Sequence, residues 1–234
     1  VRVELNNNAE GGANGVTVSA ANSGAASGNA WDATVGTPTI TYDNTHSLGN
    51  LAYKVVAGGS AQQMAWTSAS HGTQAETWGR IYLWSDGHPS SVTGIARFMS
   101  GGSQAARLRY ESTGLLTISD SGNSPEFSTA GAIPTGQWIR LEWHIQFVAT
   151  NATVELRTFN SPDSTTPTES LSVANAAGIG ANCDRLEFGS FNASTWTGWM
   201  DGLNVNSIGF PGPVTRRRSG VLVSTSAVRR AATW

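Results

Sequence analysis

The stretch QWIRLEWHIQFV, residues 137–148, leaves little freedom in how it folds. Ile139, Leu141, Trp143, Ile145 and Phe147 alternate with Trp138, Arg140, Glu142, His144 and Gln146. A pleated strand sends successive side chains to opposite faces, so a period of two gives one dry face and one polar face. A helix would spread the same apolar residues around its circumference. The segment is expected to be a strand of an antiparallel sheet with one face on a core.

Strand-forming runs recur along the chain: TPTITY (37–42), LAYKVVA (51–57), QQMAW (62–66), ETWGRIYLW (76–84), GIARFM (94–99), AARLRY (105–110), LLTIS (115–119), ATVELRTF (152–159), DRLEFGS (184–190) and TGWMDGLNVNSIG (197–209). Segments rich in Gly, Asn, Asp and Pro, such as DNTHSLGN, SDGHPSS, SDSGNSP and NSPDSTTP, lie between them and supply turns. The Asn/Gly/Ala/Ser-rich stretch 6–30 reads as an ordered loop with one short strand around Val16–Val18. No segment of ten or more residues has a helical period, and SAVRRAA (226–232) is the one short helix candidate. About a dozen short strands at regular spacing predict an all-β sandwich or barrel.

Composition agrees. Only 13% of the 234 residues are charged, against nine Trp and abundant small polar residues, a balance closer to extracellular or virion β-proteins than to cytosolic enzymes. Cys183 is the single cysteine, which excludes an intramolecular disulfide and a cysteine metal cluster and leaves a small buried residue as its expected role. No apolar run approaches the ~18 residues of a membrane span. VRVELNNNAE has no basic start followed by an apolar stretch, so no secretory leader is legible there.

Several segments together resemble a known family. GANGVTVSAANSGAASGNAWDA, ITYDNTHSLGNLAYKV, TWGRIYLW, SGGSQAARLRY, GQWIRLEWHI and WTGWMDGLNVNSIGFPGP are similar to the LamG-like, concanavalin A-like jelly-roll proteins of actinobacteria and their phages. GQWIRLEW and the closing W-x-D-x-L-x-V strand followed by GP carry most of that likeness. It covers most of residues 11–213 and implies a sandwich of two curved antiparallel sheets. The domain is expected over 1–213, and 214–234, outside the likeness, is expected to be a basic C-terminal arm. The likeness also implies a face that binds glycans, and a minor tail or other virion protein in the phage members. The opening LNNNAEGG departs from the family pattern.

For glycan contact, strand 76–84 places Glu76, Trp78, Arg80, Tyr82 and Trp84 on one face. Aromatic rings stack on the apolar face of a sugar while Arg and Glu bond its hydroxyls. Arg107, Arg109, Arg140, Glu142 and His144 are expected to line the same sheet face. The competing reading is that the rings belong to the core and that the Arg and Glu residues are cross-strand pairs.

No enzyme is expected. Glycoside hydrolysis needs two carboxylates flanking the scissile bond, and the E-x-D-x-E run that would set them on one strand face is absent. None of His46, His71, His88 and His144 accompanies a nucleophile motif. No cofactor is expected either. Asp43, Asn44 and Asp86-Gly87 offer hard oxygens of the kind that hold Ca²⁺, but without EF-hand spacing. They read as turn formers, and Asp201 reads as a hydrogen-bonded group at a sheet end. The sequons at Asn151 and Asn192 read as turns.

The last 24 residues, PGPVTRRRSGVLVSTSAVRRAATW, break with everything before them. Residues 1–210 carry nine basic against 16 acidic side chains, a net of −7; the tail carries five arginines and no acid. A nucleic-acid hook would want a basic body and aromatics between the arginines. An arm that pairs with a neighbour fits better. Val221, Leu222 and Val223 form a β-prone centre, and Arg216, Arg217, Arg218, Arg229 and Arg230 face acidic patches.

The function expected from all this is a non-enzymatic phage virion component, on the tail or as a capsid decoration. It would assemble through the arm with itself or other virion proteins, as a homo-oligomer, and touch host cell-surface glycan, with no nucleic acid and no membrane insertion. The alternative is a secreted bacterial carbohydrate-binding module; a third reading is a glycan hydrolase or lyase with an unrecognised site.

Overall fold

The computed structural model describes residues 2–36, 40–192 and 194–214. Its fifteen strands, numbered β1–β15 along the chain, form two antiparallel sheets. One sheet runs in the order β13 (Glu169–Ala176), β12 (Ala152–Phe159), β11 (Ile139–Gln146), β6 (Glu76–Ser85), β15 (Thr195–Asn206), β4 (Ala52–Gly58), β3 (Thr41–Asp43), with β1 (Glu4–Asn7) paired to the second half of β15. The other runs β10 (Pro125–Ser128), β9 (Leu116–Ser119), β8 (Ser103–Tyr110), β7 (Thr93–Ser100), β14 (Arg185–Ser190), β5 (Gln62–Trp66), β2 (Ala33–Val35). Seven of the thirteen strand pairings, including those at the centre of both sheets, join strands that are not consecutive in the chain, which is the jelly-roll pattern expected.

The alternation in 137–148 decides which side of β11 is dry. Ile139, Leu141, Trp143 and Ile145 are buried between the sheets, where Trp143 meets Phe98 at 5.8 Å and Phe188 at 6.1 Å between ring centroids. Phe98, Leu108, Ile118 and Phe188 close the core from the second sheet. Burying an aromatic of this size contributes about 1.5–3 kcal/mol. Cys183 is buried, as its sequence setting implies.

Four strands were not foreseen: β1, β2, β10 and β13. Each lies at a sheet margin or on the end of β15. β2 and β10 are short and show no apolar alternation, so backbone pairing places them. β1 and β13 carry a short one, Val3 with Leu5 and Leu171 with Val173, weaker than that of the central strands. The strand expected around Val16–Val18 is reduced to a single bridge, Thr17 to Thr41. In the expected TPTITY strand, 37–39 lie outside the described residues and β3 begins at Thr41. Of the arm, only Val214 is described; Arg216–Arg218, Val221–Val223, Arg229, Arg230 and the helix candidate at 226–232 lie outside the described residues.

The chain beyond β15 folds back over its own sheet. Arg80 donates from Nη1 to the Gly212 carbonyl at 2.7 Å, and the Val214 amide donates to the Tyr82 hydroxyl at 2.7 Å. The Arg157 guanidinium lies 3.5 Å from the Phe210 ring centroid. The PGP segment thus ends the sandwich as a strap across strands β12, β6 and β15.

Candidate functional site

The outer face of the first sheet is set by register. Across β11 and β6, Arg140 faces Tyr82, Glu142 faces Arg80 and His144 faces Trp78. Across β6 and β15, Trp84 faces Trp199 and Tyr82 faces Asp201. Trp78, Arg80, Tyr82, Trp84, Arg140, Glu142 and His144 therefore share one face, as expected, and the rings are not packed between the sheets. Arg107 and Arg109 do not share it. They stand on β8, in the second sheet, on the opposite outer surface of the sandwich. The alternation that separates two faces of a strand carries no label for the sheet, so β6 and β8 read alike in sequence.

The centre of this face is charged and closed. Arg140 is 1% exposed and Glu142 2%. The Arg140 Nε donates to Glu142 at 2.9 Å, and its two terminal nitrogens donate to the carbonyls of Pro162 and Ser164 in the β12–β13 loop. Its guanidinium also lies 3.7 Å from the Phe159 ring centroid. Burial pushes the Glu142 carboxyl above the usual range and outweighs the attraction of Arg140, Arg80 and Arg157. Arg80 and Tyr82 sit beneath the strap, beside a groove of about 340 Å³ lined by Asn6, Arg80, Asn204 and Pro213. Asp201 is buried and accepts from the amides of Leu48 at 3.0 Å and Gly202 at 2.6 Å, the hydrogen-bonded role expected, but it stands in the middle of β15 and not at a sheet end. These groups are already satisfied by the protein, so the centre is a structural lock.

Two aromatic groups flank the lock at the ends of β6. At one end Trp78 stacks on His144, 4.2 Å apart and 4° from parallel, and the His144 ring nitrogens lie 2.8 Å from Glu155 and 3.3 Å from Glu76. At the other end Trp84 stacks on His46 at 4.2 Å and meets the edge of Trp138 at 6.1 Å. His46 touches Trp199 edge-on at 4.5 Å, and Lys54 lies 5.1 Å from the Trp199 centroid. Asp43 holds this group together. It accepts from Trp199 Nε1 at 2.9 Å and the Thr45 amide at 2.8 Å, and pairs with Lys54 at 3.5 Å. Burial raises the Asp43 pKa, but the bonds from Trp199 and Thr45 and the charge of Lys54 outweigh it and hold the carboxyl below its usual value.

A cleft of about 280 Å³ opens beside Trp84, lined by Asp86, Gly87, His88, Thr195, Trp196 and Thr197. Asp86 is half exposed and accepts from Trp84 Nε1 at 3.4 Å. This end therefore sets the half-buried indoles of Trp84 and Trp138 next to polar cleft walls, the chemistry that holds a sugar ring. Asp43 forms the turn expected of it, through the Thr45 amide, and also holds Trp199, while Asp86 is a partner of Trp84. Among the described residues no group of three or more His, Cys, Asp or Glu is placed to hold a metal.

Sequence reasoning reached Trp84 and missed His46, Thr197 and Trp199. Trp138 and Trp199 carried a signal, since each alternates in phase with the polar face of its strand. His46 lies in a loop and carried none.

No protein-family model matches the chain, and no curated protein sequence matches it. Among solved structures, the chain is similar to one described as "Cellulose induced protein, Cip1". The TM-score is 0.56 at 19% identity, over 78% of this chain and 93% of that one. A structure of botulinum neurotoxin type C described with two ganglioside molecules matches with TM-score 0.49 at 10% identity, over 71% of this chain and 40% of that one. A sialidase matches with TM-score 0.49 at 9% identity, over 75% and 17%. The likeness is one of fold, a jelly-roll sandwich, and none of these three descriptions names a phage or an actinobacterium.

Proposed function

We propose that the protein is a non-enzymatic carbohydrate-binding module, acting outside the cell, that holds a neutral glycan at the Trp84 end of the first sheet. The observation that carries this is the Trp84–His46–Trp138 group beside an open cleft with Asp86, Thr195 and Thr197 on its walls. A pyranose stacked on the indoles would have its hydroxyls within reach of those polar groups. Asp86 is the one carboxylate among the residues that line this cleft, whereas glycoside hydrolysis works with a pair, which favours binding without hydrolysis. The virion role rested on the likeness to phage proteins and on an arm that lies outside the described residues, whereas the binding reading rests on described side chains.

Cello-oligosaccharides are the first probe, since the solved relative with TM-score 0.56 is described as cellulose-induced. Calorimetric titration with cellohexaose, in parallel with other neutral hexasaccharides, should find one that binds. Trp84→Ala should weaken that ligand at least tenfold, because a stacked ring contributes about 0.5–1.5 kcal/mol beyond its area burial. Trp78→Ala, at the far end of β6, should leave it unchanged. If every neutral hexasaccharide binds wild type and Trp84→Ala alike, or none binds at all, the site is wrong.

A further inference from the structure

The outer face of the second sheet holds an unbalanced charge. Arg97 on β7, Arg107 and Arg109 on β8 and Arg185 on β14 stand on three adjacent strands. Glu187 pairs with both Arg97 and Arg185, and Arg109 pairs with Glu111 at 3.0 Å. Arg107 has no carboxylate partner among the described residues. The remaining residues, 1, 37–39, 193 and 215–234, contain no Asp or Glu that could provide one.

The position is unfavourable for a cation. Arg107 lies directly opposite Arg97 in register, and like charges so placed destabilise a sheet. Burial, then repulsion from Arg97 and Arg109, outweighs the attraction of Glu187 and lowers its pKa to about 10, so it stays charged at neutral pH. One N–H finds an acceptor, Asn192 Oδ1, at 3.1 Å from Nη1. Its Nε is buried with no acceptor, and so is the hydroxyl of Ser119, its register partner on β9. A buried donor left without a partner is costly, and it is uncommon in folded proteins.

The side chain is nevertheless held in place. Its stem and the Phe191 ring lie over Gly94, where a Cβ would come within 2.8 Å of Arg107 Cδ and 2.9 Å of the ring. Packing of the stem, in place of an ion pair, orients the guanidinium. Glu187 offsets the charge only in part, and with Nε buried the terminal nitrogens are the ones left to meet a ligand. A planar guanidinium held this way suits a carboxylate, which its terminal nitrogens can bind through two parallel bonds. No large apolar side chain of β7, β8, β9 or β14 is exposed, and the exposed Val35 stands on β2 at the sheet edge, so the surroundings of Arg107 lack the anchor that a protein partner would use.

We propose that Arg107, with Asn192 beside it, is an anion subsite on the second sheet that takes the carboxylate of an acidic sugar residue. This site lies across the sandwich from the neutral-glycan site and does not depend on it.

Trigalacturonate is the probe, compared with its fully methyl-esterified form and with sodium sulfate. Binding to the full chain is read by calorimetry and by the NMR signal of the Arg107 Nε–H. Trigalacturonate should move that signal, and R107Q should weaken its binding at least tenfold. The ester should not bind, and Trp84→Ala should change nothing. R107Q should also raise the melting temperature, because it removes a repelled cation; a purely structural arginine would give a lower one. Equal binding by R107Q or by the ester, no binding of trigalacturonate, or a lower melting temperature in R107Q would each overturn the proposal. So would sulfate moving the signal at the same concentrations as trigalacturonate, which would reduce the site to a bare anion contact.

Discussion

Arg140 points away from the core and is still buried, because the β12–β13 loop folds over it and offers two carbonyls. An ion pair in such a place stabilises little in net terms, yet breaking it strands a charge. Arg140→Ala should therefore cost about 3–5 kcal/mol in urea unfolding. The double change Arg140→Met with Glu142→Leu should cost clearly less than the single one. Equal losses would mean that the loop carbonyls, and not the stranded Glu142, dominate. His71 gives the contrasting case of a group buried neutral. Burial lowers its pKa to about 4, against a partial upward pull from the Gly72 carbonyl and Asp184. Between that value and the ~6.5 of the unfolded chain, the unfolded state binds a proton that the folded state does not. Stability from His71 is thus fully present above pH ~6.5 and is lost as pH falls toward 4, to a total of about 3 kcal/mol. NMR should show its imidazole neutral at pH 5. His71→Gln should lose less unfolding free energy than wild type between pH 7 and pH 4.5.

Strand β15 shows how one element joins the sheet centre to the site. Its first half pairs with β4 and its second half with β1, and the register against β6 shifts between Asp201 and Asn204. Gly202 sits in that shift at φ +54, with the Tyr82 ring 2.8 Å from where a Cβ would stand. Gly202→Ala should cost about 1–2 kcal/mol from the backbone conformation alone, and more if Tyr82 cannot move. Thermal unfolding of this variant, with the hydrogen exchange of the Val214 amide that bonds Tyr82, checks both effects. The strand itself was legible: W-x-D alternation marked Trp199 and Asp201 as one face, as Arg140, Glu142 and His144 were marked on β11. The bulge had only a faint mark, Gly202 inside the strand and the slip of apolar phase from Met200 to Leu203, and a single continuous strand over 197–209 overlooks both. Sheet membership was not legible. Arg107 and Arg109 alternate on β8 as Arg80 and Tyr82 do on β6, and only long-range pairing separates them into two sheets. His46 reached the site through loop geometry alone.

At the scale of the whole molecule, the strap connects the ends of the argument. Residues 1–210 are net negative and the last residues positive, and the crossover between them, Phe210 to Val214, lies on the first sheet. Three contacts tie it there: Arg157 on Phe210, Arg80 to Gly212 and Tyr82 to Val214. A cation–π contact at about 0.5–2 kcal/mol and two hydrogen bonds at about 1 kcal/mol each suggest that the strap contributes roughly 2–4 kcal/mol. Two truncations separate the strap from the tail. Ending the chain after Val214 removes five arginines and shifts the net charge from −2 to −7, but leaves all three contacts. Ending it after Gly209 removes the contacts as well and uncovers Arg80 and Arg157. The first truncation should unfold in urea at nearly the full-length midpoint, and the second should lose those few kcal/mol. Cellohexaose, or whichever neutral hexasaccharide binds the full chain, should bind both equally, because Trp84 lies beyond the strap at the end of β6. If the longer truncation alone loses that binding, the strap positions the site and the two ends of the face act together.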